Sequence, residues 1–329
     1  MTVSFLKKLV NLAIILAWAV LMLGAYTRLT DAGLGCPDWP GCYGHLVMPA
    51  VDIVQKAYPH TLIESAKAWT EMAHRYLAGS LVFIIMSILI GLRFQKRDSL
   101  AVSTKLQVFL LVLIGFQAAL GMWTVTLKLV PQVVSGHLLG GFLIFSSLIA
   151  MRSQMMPPVN TSWACVKSYI GLGLLMTLIQ IALGAWVSSN YAAISCIGFP
   201  MCNGQWIPPL HLKEAFHLIQ QIGPNYQGGL LDIDVRMTIQ WVHRLGAFIV
   251  FVYWSVLSCV LLKKIHSQSI HRIVWLLISL LILQVILGVI NVSYLLPLYA
   301  AVLHNGVGAL ILGTIVMIFQ RIQCEKKTC

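Results

Sequence analysis

Four histidines lie inside apolar segments of this chain, and they form two matching pairs. His74 in EMAHRYLAGS corresponds to His243 in IQWVHRLGAF at an offset of 169 residues. His137 in VVSGHLLGG corresponds to His304 in AVLHNGVGA at an offset of 167 residues. An imidazole in hydrocarbon costs free energy, so each one marks a candidate functional site. Because two facing imidazoles in a helix bundle suit axial ligation of haem iron, the pattern predicts two haem sites.

The alternative for any one of these histidines is an interfacial or hydrogen-bonded residue near the end of a membrane span. All four are expected in the first turns of their spans, at one depth near the outer edge of the hydrocarbon. Within each half the two histidine-bearing helices are expected to run parallel, so that their imidazoles can face each other. Four histidines at matching depth in a repeated frame favour ligation over the alternative.

The composition is that of a membrane protein. Of 329 residues, 59% are hydrophobic and only 10% are charged, whereas soluble domains carry about a quarter charged residues. The net charge is +12, but the basic residues lie mostly in short loops between apolar runs, which argues against nucleic-acid binding. We therefore expect a polytopic protein in contact with membrane lipid.

Eight apolar segments are close to the ~20 residues that cross a bilayer as a helix. With the N-terminus inside, the inner segments carry 14 of the 22 Lys and Arg residues, and 8 of the 10 acids lie outside. We expect a multi-pass protein of the bacterial inner (cytoplasmic) membrane with both termini cytoplasmic. The predicted spans are 9–27, 73–92, 106–126, 133–151, 168–187, 239–261, 273–292 and 300–319.

The first span has a rival interpretation as a signal peptide. Lys7 and Lys8 precede an apolar run, and Ala17-Trp18-Ala19 resembles a cleavage site. However, LGAY at 23–26 has a counterpart in LGAW at 183–186, within the fifth span. A segment that belongs to an internal repeat favours retention as a membrane span.

The repeat sets the expected architecture. QAALGMWTV from Gln117 matches QVILGVINV from Gln284, and four spans per half place both halves in the membrane in the same sense. The sequence predicts an all-α polytopic membrane protein, with eight transmembrane helices arranged as two pseudo-symmetric four-helix bundles. The N-terminal bundle is expected over 1–160 and the C-terminal bundle over 161–329.

Each half also carries a cysteine pair in its long outer segment. Cys36 and Cys42 in CPDWPGC match Cys196 and Cys202 in CIGFPMC. Paired cysteines on the oxidising face predict two disulfides within these loops. A zinc site is the alternative, although no histidine cluster completes it. Both bridges can simply fasten their loops, and a redox role is kept open for the first.

In the second outer segment, HLKEAFHLIQQI from His211 predicts an amphipathic helix on the outer face.

Charged residues next to two of the histidines differ between the halves. Glu71 lies three residues before His74 and faces the same way on a helix, whereas Gln240 takes that place before His243. A buried carboxylate at such a pocket can act as a base or stabilise positive charge, and the alternative is a carboxylate favoured by the helix dipole. The difference predicts a chemically active N-terminal half and a fixed redox site in the C-terminal half.

Arginines directly follow the same two histidines. Adjacent helix positions diverge by about 100°, so Arg75 and Arg244 are expected to reach toward haem propionates rather than the iron. Snorkelling to lipid phosphate is the alternative.

These features together resemble the haem A synthase family. The resemblance rests on the duplicated four-span unit, on TRLTDAGLGCPDWPGCYG after the first span, on the E-x-x-H-R block at 71–75 and on the four histidines, and it covers essentially the whole chain. It implies an enzyme that oxidises a ring methyl of haem O to a formyl group through two successive hydroxylations. It also implies work beside haem O synthase and other assembly factors of terminal oxidases, with electrons passing to an acceptor that the sequence does not identify.

The resemblance assigns roles residue by residue. His243 and His304 would ligate a haem b, with electrons leaving through this half, while His74 and His137 would flank the substrate haem O. Glu71 matches the family's essential acidic residue, and Cys36 with Cys42 matches a pair present in only part of the family. The main alternative function is a bis-haem electron-transfer protein of cytochrome b type without haem turnover. A haem exporter or carrier is a third.

Overall fold

The computed structural model describes residues 2–57, 63–95, 102–161, 163 and 166–324. Eight of the helices in this part of the chain are long and apolar enough to cross a membrane, which confirms the predicted all-α polytopic fold. These spans are α1 (Val3–Leu29), α3 (Ser65–Arg93), α4 (Thr104–Thr126), α5 (Pro131–Gln154), α6 (Val166–Ser189), α8 (Ile233–Lys264), α9 (Gln268–Ser293) and α10 (Leu298–Arg321). Two short helices, α2 (Val51–Ala57) and α7 (Leu212–Ala215), lie in the loops, and strands β1 (Val159–Thr161) and β2 (Ile322–Cys324) pair in parallel.

Each membrane helix begins before its predicted first residue, and most also end beyond their predicted last residue, because local turn chemistry extends the helix past the apolar run. Thr2 caps α1 by accepting a hydrogen bond from the Phe5 amide at 3.2 Å. Pro131 stands in the first turn of α5, where its missing N–H has no helical partner to lose. The capped α1 packs among the other spans, as the interpretation of the first segment as a membrane span predicts.

The four helices at the centre are α1, α5, α6 and α10. Helix α10 packs against α5 and α1, and α5 also packs against α6, while α3 with α4 and α8 with α9 stand at the periphery of their halves. Phe145 of α5 lies against Gly313 of α10, where a side chain of any size would collide with the phenyl ring. The Trp18 indole N–H of α1 donates to the Gly306 carbonyl of α10 at 3.0 Å, which joins the two halves beside His304.

A pseudo-two-fold axis passes between the halves where equivalent residues touch each other. Arg28 at the end of α1 donates to the carbonyl of Ser188, its counterpart 160 residues later, at 2.6 Å. The Tyr191 hydroxyl donates to Asp31, again 160 residues apart, at 2.9 Å. Burial raises the pKa of Tyr191, which keeps the phenol protonated as the donor of this bond. Contacts between equivalent positions arise only at a two-fold axis, so the repeat is expressed in the fold.

Both predicted disulfides are present, and they lie at one end of the molecule, which we call the disulfide end. Cys36 is bonded to Cys42 and Cys196 to Cys202, each pair with its Cα atoms 4.9 Å apart. The bonds account for all four of these sulfur atoms, so the zinc alternative is wrong. Among the remaining cysteines whose side chains the structure describes, Cys259 is unpaired.

The predicted amphipathic helix from His211 is wrong beyond its first turn. Only Leu212–Ala215 is helical, and the chain then continues in an irregular path toward the N-terminal half. The Gln220 carbonyl accepts from Gln132 at 3.0 Å, and the Tyr226 amide donates to the Lys128 carbonyl at 3.1 Å. These bonds, to the first turn of α5 and to the turn that precedes it, hold the segment across the two halves instead of in a helix.

Candidate functional site

The N-terminal pair of histidines is brought together by one peripheral and one central span. His74 of α3 and His137 of α5 have ring centroids 6.4 Å apart with their planes at 76°. If one metal sat between them, two bonds of about 2.0 Å plus about 1.1 Å from each nitrogen to its ring centre would give about 6.2 Å. The spacing therefore fits two imidazoles on opposite sides of a single metal ion, as in axial ligation of haem.

The C-terminal pair is held by hydrogen bonds to glutamine side chains. The Gln180 amide nitrogen on α6 lies 3.0 Å from Nδ1 of His243 on α8, and it also donates to the His243 carbonyl at 3.0 Å. The Gln284 amide nitrogen on α9 lies 3.2 Å from Nε2 of His304 on α10. A ring nitrogen binds a metal only when the imidazole proton sits on the other nitrogen, so each glutamine would present its amide oxygen to that N–H when a metal is bound.

Each of the four imidazoles rests on a glycine of the neighbouring helix. A Cβ placed on these glycines would lie only 3.0–3.3 Å from the Cε1 atom of the ring. A larger residue at any of these positions would displace the ring. Each glycine therefore determines how closely its histidine packs against the neighbouring helix. The pairs are Gly24 with His74, Gly121 with His137, Gly184 with His243, and Gly288 with His304.

The two halves differ in how the rings are restrained. In the described residues, Nδ1 is buried without a hydrogen-bond partner in His74, His137 and His304, so this atom does not distinguish the halves. Gln117, which takes the place of Gln284, donates to the His137 carbonyl at 2.7 Å. Within the described part of the chain, glutamine amides therefore reach the rings themselves only in the C-terminal half.

Glu71 is buried against the first disulfide loop, with 4% of its surface exposed. One carboxylate oxygen accepts from the Cys36 amide at 2.8 Å, and the other pairs with the guanidinium of Arg75, one turn further along α3. Both oxygens thus accept hydrogen bonds, one from the loop and one from α3 itself. Gly35 precedes this contact, and its backbone packs so tightly on α3 that a Cβ would lie 2.6 Å from the carbonyl carbon of Lys67.

The two arginines bind backbone carbonyls of the loops, which the sequence did not predict. Arg75 donates to the Asp38 carbonyl at 2.9 Å and also to the carbonyl of Gly41. Arg244 donates to the Gly198 carbonyl at 2.8 Å and also to the carbonyl of Cys196. Each arginine therefore ties a disulfide loop to the helix that carries a histidine. Contact with haem propionates stays a prediction for both.

Gln240 occupies the position of Glu71 in the second half. Its side chain is equally buried at 5% exposure, but its amide oxygen has no hydrogen-bond partner among the described residues. The charge of the first half is thus absent in the second, as the sequence indicated. The loop there is held by Arg244 without help from a carboxylate.

Donor chemistry limits what these sites can hold. No group of three or more His, Cys, Asp or Glu side chains converges on one point within the described residues, which is what a metal bound by protein alone needs. A pair of imidazoles suits a metal whose remaining ligands come from a macrocycle. The ring spacing of the first pair, and the glutamine beside one nitrogen of each ring in the second, therefore fit haem.

Sequence reasoning missed the roles of the glycines and of the glutamines four residues before them. The repeat itself contained the signal: Gly24 matches Gly184, and QAALG from Gln117 matches QVILG from Gln284. Only the packing shows that these positions face the histidines.

We expect Gly184→Ala to weaken haem binding in the C-terminal half. The new methyl carbon would lie 3.1 Å from Cε1 of His243, so the ring must shift by a few tenths of an ångström. Changes to groups that orient a metal ligand typically reduce affinity by about 10- to 100-fold. Haem content per purified protein, read from the pyridine haemochrome spectrum, measures the effect. Gly115→Ala is the matched control, because no atom lies within 4 Å of a Cβ at that position. Equal loss of haem in both variants would refute the role of the glycine.

Fold and site together define a membrane protein with an internal repeat, eight spanning helices in the described residues, and two histidines at matching positions in each half. Residues 7–316 match the COX15-CtaA family model, described as cytochrome oxidase assembly protein. Over 318 residues the chain is 43% identical to a haem A synthase of Shewanella oneidensis, covering 94% of each chain. It is also similar to haem A synthases of Mesorhizobium japonicum (28% identity, 91% of this chain and 85% of that protein) and Rickettsia felis (25%, 95% and 96%). This protein belongs to the COX15-CtaA family.

Proposed function

We propose that this protein is a haem A synthase, a membrane oxidoreductase that converts haem O to haem A for terminal oxidases. Similarity over nearly the full length to proteins of that name supports the activity. The observation that carries the site assignment is the His74–His137 ring separation of 6.4 Å, at which both imidazoles would hold one iron.

The two halves take different roles in this proposal. The C-terminal half holds a resident haem b between His243 and His304, because amide groups fix both rings there. The N-terminal half receives haem O between His74 and His137, where Gln117 bonds the His137 carbonyl and not the ring. When bound, haem b supplies one-electron redox chemistry.

The reaction has two oxidation stages. First, a C–OH bond to oxygen from water replaces one C–H bond of the ring methyl, with release of two electrons, one proton from the methyl and one proton from the water. Second, the alcohol is oxidised in the same way to a gem-diol, which loses water to give the formyl group. The four electrons pass to an acceptor whose identity the sequence does not give.

Glu71 is the proposed catalytic residue. Its position is one turn from His74 on α3, and its two oxygens are oriented by the Cys36 amide and by Arg75. An anion at this place stabilises the positive charge that develops on the methyl carbon as electrons leave, and it can accept the proton of the attacking water. Arg75 is the residue that keeps this carboxylate oriented.

The proposed membrane orientation follows from charge. The excess of Lys and Arg in the loops opposite the disulfide end favours a cytoplasmic location for both termini. The disulfides then face the oxidising side of a bacterial inner membrane. Haem O synthase is the proposed source of substrate, and oxidase assembly factors are the proposed recipients of product.

Expression with and without haem O synthase tests the function. We expect haem A in extracts only when both proteins are present, since haem O is the substrate. When haem O synthase is omitted, we expect haem b alone. Reversed-phase separation of acid-extracted haems measures both. Two equivalents of haem b per chain with no haem A would show an electron-transfer protein instead.

A further inference from the structure

Glutamine precedes the histidine-seating glycine by four residues in three of the four sites. The pairs are Gln117 with Gly121, Gln180 with Gly184, and Gln284 with Gly288. Residues four apart on a helix are neighbours on one face, so the amide reaches the histidine helix just above or below the glycine. Before Gly24, which seats His74, the residue is Val20.

Glycines on the histidine helices make room for these amides. A Cβ on Gly246, three residues after His243, would lie 2.3 Å from the Gln180 amide oxygen. A Cβ on Gly140, three residues after His137, would lie 2.0 Å from the Gln117 amide oxygen. Three residues after His74 stands Leu77. At the His74 site, Val20 therefore takes the place of the glutamine, and Leu77 takes the place of the glycine that makes room for it.

The consequence is a difference in how firmly the four rings are held. Gln180 lies at Nδ1 of His243, Gln284 lies at Nε2 of His304, and Gln117 reaches only the backbone carbonyl of His137. Nδ1 is unpartnered in His74, as in His137 and His304, within the described part of the chain, but His74 alone lacks a glutamine at the equivalent position, since Val20 and Leu77 have no polar side chain. A ring without such a bond turns away from its metal at lower cost than one held by an amide.

We infer that Val20 and Leu77 make His74 the releasable ligand of the N-terminal half, and that Gln180 with Gly246 locks the haem of the C-terminal half. This inference rests on the proposed function, in which the first half must take up haem O and release haem A while the second keeps its haem. Val20, Leu77, Gln180 and Gly246 are positioning residues, because they act through the imidazoles.

Reciprocal variants test the assignment. Gln180→Val, alone and with Gly246→Leu, gives the C-terminal half the residues of the N-terminal half. Val20→Gln with Leu77→Gly does the reverse. Detergent-purified holoprotein is mixed with excess apomyoglobin, and the transfer of each haem is followed by absorbance and by extraction of the residual haem.

We expect both Gln180 variants to lose haem b about 10- to 100-fold faster than the unaltered protein, the range typical of lost ligand-orienting contacts. We expect the Val20 and Leu77 double variant to release haem O or haem A at least about tenfold more slowly. Gly115→Ala, in open space on α4, should change neither rate.

The outcomes distinguish a failure of this inference from a failure of the proposed function. Release rates within about twofold of the unaltered protein in all variants, with both haems bound and spectra unchanged, would overturn this inference, since a change of that size is usual for substitutions without a specific role. The proposed function would stand, because it does not depend on these rates. An unaltered protein that binds neither haem O nor haem A in its N-terminal half would overturn the proposed function and this inference with it.

Discussion

Replacing His243 or His304 with alanine is expected to leave the purified protein without haem b and without detectable conversion of haem O to haem A. The two rings sit on Gly184 and Gly288 of the neighbouring helices, and each is oriented by a glutamine. Loss of a group that merely orients a ligand lowers metal affinity by about 10- to 100-fold, so loss of the ligand itself should exceed about 100-fold. Haem b is measured by its reduced-minus-oxidised spectrum, and haem A by extraction.

Two other histidine variants serve as controls. His217→Ala changes an exposed loop histidine and should retain both the spectrum and the activity. His74→Ala should abolish conversion while the haem b spectrum of the C-terminal half persists, because the two pairs lie in different halves. Full haem b content in His243→Ala and His304→Ala would contradict the ligand assignment.

Glu71→Gln is expected to lower the rate of haem A formation by about 10²- to 10⁴-fold, the usual contribution of a positioned acid or base. Glutamine keeps the shape and can still accept the hydrogen bond from the Cys36 amide, but it removes the negative charge that pairs with Arg75. The equivalent Gln240 shows that an amide is accommodated at this position in the fold. Conversion in membranes supplied with haem O measures the effect.

The haem b spectrum and the Cys36–Cys42 bridge should both survive this change, which separates lost chemistry from lost folding. Thiol titration under denaturing conditions reports the state of the bridge. Gln240→Ala, at the matching position of the other half, should leave the rate of conversion within about twofold, as for most substitutions away from the reacting group. An unchanged rate in Glu71→Gln would mean that the carboxylate only fastens the disulfide loop.

The sequence predicted the spans, the repeat and both disulfides because each has a strong local signal. Apolar runs of membrane length must be helical, since every backbone amide has to be satisfied within the chain. The turns before α5 and α10 illustrate the precision of the repeat: Lys128 and Leu129, like Leu295 and Leu296, all adopt positive φ. The two repeats thus adopt the same backbone conformation in this turn, even though positive φ is unfavourable for leucine.

Contacts with backbone carbonyls could not be predicted in this way. Arg75 and Arg244 were expected to point to propionates or lipid, but a loop carbonyl has no side-chain signature, and its position depends on the whole path of the loop. The irregular segment after Ala215 failed for a related reason. Its periodicity suits a helix, yet its backbone bonds go to Gln132 and Lys128 in the other half, and tertiary contacts override local propensity.

The contacts of Arg28 with Ser188 and of Asp31 with Tyr191 have an evolutionary consequence. A surface that meets its own copy is the signature of a homodimer, so we propose that the units 1–160 and 161–329 descend from a single-length protein that paired with itself. In such an ancestor an arginine facing an arginine, or an aspartate facing an aspartate, would repel. Fusion of two genes removed that constraint, because each side could then mutate independently. The bond from the Tyr191 hydroxyl to Asp31 is available only to a chain whose two parts are no longer identical.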